Sequence, residues 1–269
     1  MDINEYKYNF GCASCGYKDV PKNKPLGRID VSRAISKLDE LFSRNALSDA
    51  GKLLDFWRGE AVRLCDRQGE LSIVNEQLGF FRRTNEEDRA MEAVDRSLVL
   101  IDGLNMQENV SAATILLNAA TTLKAFGRAK DALPLYERTL SIYEKNLDAS
   151  DVRFGGFYNN YALTLADLGL TDEARDAYAA AISVMMSHDD GKPEAAISYI
   201  NMAYLYPEHS ASAHSCLKTA MELLEECSYM ESGNYAFVLS KCAPAFRDFG
   251  YTDLADRLER RSKEIYERS

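Results

Sequence analysis

Residues 116–140 and 158–182 are two copies of one pattern. The first reads LLNAATTLKAFGRAKDALPLYERTL and the second YNNYALTLADLGLTDEARDAYAAAI. Displaced by 42 residues, they coincide at Asn118/Asn160, Ala120/Ala162, Thr122/Thr164, Leu123/Leu165, Gly127/Gly169, Ala132/Ala174 and Tyr136/Tyr178. Unrelated segments of this length share roughly one or two residues at average usage. A repeat of this period restricts the chain to architectures made by stacking one supersecondary unit, since a single unit cannot bury its apolar face alone.

The unit is a pair of helices. Asp30 has the chemistry of an N-cap, and Val31, Ala34, Ile35, Leu38, Leu41 and Phe42 then follow the spacing of one buried helical face. A polar break over 43–48 precedes a second helix carrying Ala50, Leu53, Leu54, Trp57 and Ala61. The pairing recurs. Turn residues stand at Asn45, Asn85, Gly127, Gly169, Ser210 and Gly250, and a small residue follows each by five, at Ala50, Ala90, Ala132, Ala174, Ser215 and Ala255. Gly or Asn suits the left-handed conformation that ends a first helix, and the small residue lets the second helix come close.

Three prolines mark the pattern. Pro207 should end or kink the first helix of the fifth pair, Pro134 should sit harmlessly in a first helical turn, and Pro244 should bend the first helix of the last pair. The last segment keeps Leu254, Leu258 and Ile265 on one stripe and is otherwise charged, as the outer face of a terminal helix must be. Residues 1–28 lack helical periodicity. There Tyr6, Tyr8, Phe10 and Tyr17 surround Cys12 and Cys15, so an irregular arm tucked against the first helices is expected. The predicted organisation is therefore an arm over 1–28 and an all-α solenoid of about six antiparallel helix pairs over 29–269, right-handed if it follows the repeat family it resembles below.

Charge narrows the partners. With 32 Lys plus Arg against 42 Asp plus Glu, the net charge of −10 disfavours a phosphate backbone. No nucleic-acid partner is expected. No basic, apolar leader opens the sequence, and the longest nearly apolar run, 177–186, falls short of the ~20 residues of a membrane helix. A cytoplasmic protein without a membrane partner is the expectation, with its six cysteines reduced.

The order Asn118, Ala120, Leu123, Gly127, Ala132, Tyr136, repeated as Asn160, Ala162, Leu165, Gly169, Ala174, Tyr178, resembles the tetratricopeptide repeat (TPR). The 42-residue period and YNNYALTLADLG are similar to the longer-helix subclass typified by kinesin light chains. The likeness is strongest over 110–185 and does not reach 1–28. The fifth repeat keeps Asn201 and Ala203 but has the Pro207 loop for the turn glycine, and the sixth has Lys241 at the Asn position. The resemblance implies a concave groove lined by first helices that binds a peptide or protein segment, without catalysis or cofactor.

In that groove Asn118, Asn160 and Asn201 would form a ladder of amides able to grip a peptide backbone, because each amide both donates and accepts. Helical spacing adds Leu117, Thr121, Lys124, Asn159, Leu163 and Tyr204, and Lys241 adds charge. The competing reading is that the asparagines bond between adjacent helices and touch no ligand. Two further function classes stay open: a peptide-sensing regulator, and a metal or redox module at Cys12/Cys15. No second Cys-x-x-Cys completes a zinc set, and Cys65, Cys216, Cys227 and Cys242 look like small core residues. His209 and His214, five apart across a junction, are poorly spaced for a metal. No phosphate-binding glycine loop, nucleophile elbow or metalloprotease motif is present.

Overall fold

The computed structural model describes residues 24–268, and every regular element among them is a helix. The chain forms two compact units, divided after Gly127. The first contains α1 (Val31–Ser43), α2 (Leu47–Arg63), α3 (Arg67–Thr84), α4 (Glu87–Gly103) and α5 (Val110–Ala125). The second contains α6 (Ala129–Asn146), α7 (Val152–Asp167), α8 (Thr171–Met186), α9 (Lys192–Ala203), α10 (Ala211–Glu226), α11 (Gly233–Asp248) and α12 (Thr252–Arg268). The predicted all-α helical-repeat architecture holds. Within the first unit each helix from α1 to α5 packs on the next, and within the second α6 to α10 do so in sequence and α11 pairs with α12; first helices also stack on one another, α1 on α3, α3 on α5, and α9 on α11.

Local chemistry sets the helix ends. Asp30 caps α1 as expected, accepting from the Arg33 backbone N–H at 2.9 Å. Left-handed residues close the hairpin turns at Asn45, Asn85, Gly127, Gly169 and Gly250, five of the six predicted positions. Cys65, expected in a helix core, instead holds a left-handed conformation in the α2–α3 turn. Cys216, Cys227 and Cys242 are buried, and loss of hydration pushes the Cys242 thiol up to about 12. Pro134 lies in the second turn of α6 rather than the first, because the helix already begins at Ala129. Pro244 is tolerated inside a continuous α11.

The first unit is held at its start by Asp66, the N-cap of α3. This buried carboxylate accepts from the backbone N–H groups of Gly69 (3.1 Å) and Ile29 (3.0 Å) and pairs with Arg28 (3.0 Å). Leu26 donates to the Leu64 carbonyl at 2.8 Å, so the described end of the arm docks on the α2–α3 turn. Deeper in the unit Glu70, only 2 % exposed, receives both arms of the Arg96 guanidinium at 2.7 Å each. That two-point geometry is what makes a buried carboxylate tolerable.

The second unit buries its large aromatics. Tyr136, Tyr143, Tyr178, Phe157 and Phe246 are almost wholly enclosed. A buried phenol must keep its hydroxyl bonded. Tyr136 does so by donating to the Asn160 carbonyl at 3.2 Å while Thr164 donates to it at 3.1 Å. Desolvation raises the Tyr178 phenol well above its ordinary range, so it stays protonated.

Fully buried small and apolar residues give the register of each hairpin. Leu38 and Ala50, Leu78 and Ala90, Ala162 and Ala174, and Ala243 and Ala255 are each twelve residues apart. In the α9/α10 hairpin the pair is Ala203 and Ala213, ten apart. The predicted contact residue Ser215 is exposed, and the predicted turn residue Ser210 is instead the N-cap of α10, its hydroxyl accepting from the Ala213 N–H at 3.2 Å. His209 takes the left-handed conformation, at φ 61°. The cause is Pro207, which disfavours helical geometry at Tyr206 and cannot donate a helical hydrogen bond. Helix α9 therefore stops at Ala203, as the proline predicts.

Candidate functional site

Two features stand out on the first helices. One is a set of amide bridges. In the first unit Asn118 on α5 donates from Nδ2 to Asn75 Oδ1 on α3 at 2.8 Å. In the second, Asn201 on α9 donates to Asn159 Oδ1 on α7 at 3.2 Å, and the same oxygen accepts from the Ser198 hydroxyl at 3.1 Å. All four asparagines are half-buried. Both bridges join the tenth residue before one turn to the ninth residue before the next, counting Ser210 as the fifth turn position. Asn160 is different: its Nδ2 donates to the Gly156 carbonyl of its own helix at 2.8 Å. Of the three asparagines expected to form a ladder, Asn118 and Asn201 thus bond between adjacent helices and Asn160 bonds within its own.

The remaining predicted groove residues divide between the units. In α5, Leu117 is buried, Thr121 donates to the Leu117 carbonyl at 2.8 Å, and Lys124 is half-buried in the last turn. In the second unit Leu163 packs partly against the Ala162, Leu165 and Tyr178 cluster. Lys241 is exposed, its ammonium 5.2 Å from the centre of the Phe237 ring. Beside Asn75, Glu76 accepts from the Asn75 amide at 3.3 Å. Burial raises its carboxyl above the usual carboxylate range, the Asn75 bond opposes this, and Asp39 reinforces it.

The second feature is a cavity of about 330 Å³ where α9 ends early, lined by Tyr204, Tyr206, Glu208, Asp248 and Phe249. Tyr204, 50 % exposed, donates to Asp248 Oδ2 at 2.7 Å and lies 5.1 Å from the Phe249 ring centre. Burial, then the Asp248 bond and charge, raise the Tyr204 phenol far above its ordinary range, so it remains a donor. Arg175 of α8 sits over Tyr206, 5.4 Å from the ring centre, while pairing with Asp172. His209 and His214 stand 6.3 Å apart, and His214 meets the edge of Tyr251.

Of the cavity residues, the sequence singled out Tyr204. The pairing of Tyr206, Glu208, Asp248 and Phe249 carries no sequence signal, because it depends on where α9 stops. Asn75 was missed although a signal exists: Asn75 precedes Asn118 by 43 residues, near the repeat length. Cys12 and Cys15 lie outside the described residues. Among the described residues no three His, Cys, Asp or Glu side chains are grouped to hold a metal, and no helix is long and apolar enough to cross a membrane.

No protein-family model and no curated protein sequence matches the chain. Solved structures do. MamA RS-1, as an ArsTM double mutant, superposes with a TM-score of 0.50 at 14 % identity, over 76 % of this chain and 99 % of that one. BtubC (BKLC) from P. vanneervenii gives 0.49 at 16 % identity over 88 % and 91 %. The kinesin light chain TPR-like repeats of Podosopora anserina give 0.48 at 18 % over 71 % and 92 %. At such identities the likeness is one of fold alone, an all-helical architecture of successive packed helices.

Proposed function

We propose that the protein is a non-enzymatic interaction scaffold that receives a peptide or protein segment on the first-helix face of its second unit. The observation that carries this is the Asn159–Asn201 bridge: two half-buried amides held side by side, with Asn160 adjacent. Asn159 Oδ1 is filled by Asn201 and Ser198, which leaves the Asn159 amide N–H groups as donors and Asn201 Oδ1 as an acceptor for a ligand backbone. Leu163, Tyr204 and Lys241 would flank such a segment, the first two with apolar surface and the last with charge. In the first unit Asn118, with Leu117, Thr121 and Lys124, offers a comparable face. Affinity on such a surface comes from backbone hydrogen bonds, and selectivity from the few charged neighbours. No cofactor is required.

The test is peptide display panned against the wild-type protein, followed by titration of a selected peptide against the Asn159→Ala/Asn201→Ala protein. Two lost hydrogen bonds of about 0.5–1.5 kcal/mol each weaken binding roughly fivefold or more. Unchanged affinity in a folded double variant would remove the amide face from the binding surface.

A further inference from the structure

We infer that the cavity at the end of α9 is a guanidinium pocket: it takes an arginine side chain presented by a bound polypeptide. This deepens the scaffold reading above by naming the chemistry of one ligand side chain. Three kinds of observation converge on it. The first is the lining, three aromatic rings and two carboxylates, with no basic residue among them. Aromatic faces attract cations through their ring quadrupoles, and a planar guanidinium can stack on a ring while its edge bonds a carboxylate. The second is the backbone. Asp248 and Tyr204 stand at the C-terminal ends of α11 and α9, the ends at which a helix dipole carries partial negative charge. The third is an internal precedent, the guanidinium of Arg175 already lying over Tyr206.

The arrangement is also preorganised. The Tyr204 hydroxyl occupies Asp248 Oδ2, which fixes the carboxylate and leaves its other oxygen for a donor. Of the nearby cations, Arg247 is committed to Asp256 at 2.9 Å and Glu259 at 2.8 Å on α12, while Arg175, paired with Asp172, covers one face of the Tyr206 ring and leaves Tyr204 and Phe249 as the rings for a ligand. About 330 Å³ lies at the low end for small-molecule sites, so it suits one long side chain better than a cofactor. Glu208, exposed on the Pro207 loop, stands where it can steer a cation inward.

The experiment is an NMR titration of the full chain with N-acetyl-arginine-N-methylamide, following the Tyr204, Tyr206 and Phe249 ring signals. The neutral isostere N-acetyl-citrulline-N-methylamide and the corresponding lysine derivative serve as comparisons. Saturable shifts at those rings with a roughly millimolar Kd are expected for arginine, about tenfold weaker for lysine and absent for citrulline. Asp248→Asn should weaken arginine about tenfold, and Tyr204→Phe, which keeps the ring but loses the bond that orients Asp248, about threefold. Should Asp248→Asn fail to fold, the citrulline comparison on the unaltered protein still decides. Equal binding of citrulline, or no shift with arginine, overturns the pocket. Lysine binding as tightly as arginine overturns the guanidinium assignment. The free probe needs no groove, so its failure would leave the amide-face reading standing, and loss of peptide binding in the Asn159/Asn201 variant would leave the pocket standing.

Discussion

The α7/α8 and α9/α10 hairpins are neighbours in one compact unit and differ in a single respect. In the first, the fully buried Ala162 and Ala174 of one core cluster flank a turn closed by Gly169 at φ 76°, and α7 runs five residues past Ala162. In the second, the fully buried Ala203 and Ala213 of one core cluster flank a turn closed by His209, and α9 stops at Ala203 itself. The buried contacts on α8 recur on α10: Ala174, Ala177, Tyr178, Ala181 and Met185 correspond to Ala213, Cys216, Leu217, Ala220 and Leu224. Helix packing thus tolerates a turn two residues shorter, provided the small residues still face each other. The shortening changes the edge of the hairpin rather than its core. It releases Tyr204 and Tyr206 from the helix, and they become walls of a cavity.

The sharpest way to break this comparison is to overfill the contacts. Ala174→Leu and Ala213→Leu should each destabilise by about 1–3 kcal/mol or more, whereas Ser215→Leu should change stability by less than about 0.5 kcal/mol. Urea unfolding of the three variants decides the register: a large loss at Ser215 and none at Ala213 would restore the twelve-residue spacing. A smaller effect is expected at the turns. Gly169→Ala forces a side chain into a left-handed position and should cost about 1 kcal/mol, while His209→Gly relieves one and should gain up to about 1 kcal/mol. Thermal melts that moved in the same direction for both would show that the two turns are not equivalent. The least effect belongs to Tyr204→Phe. Its hydroxyl bond to Asp248 is exposed, so the melting midpoint should move by the equivalent of about 0.5 kcal/mol or less. A larger drop would mean that this bond, and not the proline, holds the loop.

Much of the fold was legible because periodic constraints repeat. Leu38, Leu78, Ala162 and Ala243 recur at the spacing that stacking demands, and the left-handed turns need Gly or Asn, so both leave marks in the sequence. The fifth hairpin was misread for the same reason. Extrapolating the period placed its contact at Ser215, and the two-residue shortening is invisible until packing chooses Ala213. The amide set was legible in part. Asn118 and Asn201 were found, but which asparagine each one bonds is decided by the offset between adjacent helices, which pairs Asn75 with Asn118 and Asn159 with Asn201. The cavity was the least legible, because Asp248 and Phe249 lie about forty residues from Tyr204 and meet it only after α9 and α11 pack.

The truncated end of α9 bears on how a repetitive scaffold can hold an extended chain in one place. Identical hairpins present identical grips, so a strand laid across them gains nothing by stopping at one step rather than the next. A lone irregular step removes that degeneracy. With Tyr204 and Tyr206 after α9 and Asp248 at the end of α11 gathered at one junction, a guest of the kind proposed above would have somewhere to anchor one side chain, and its other residues would take their address from that origin.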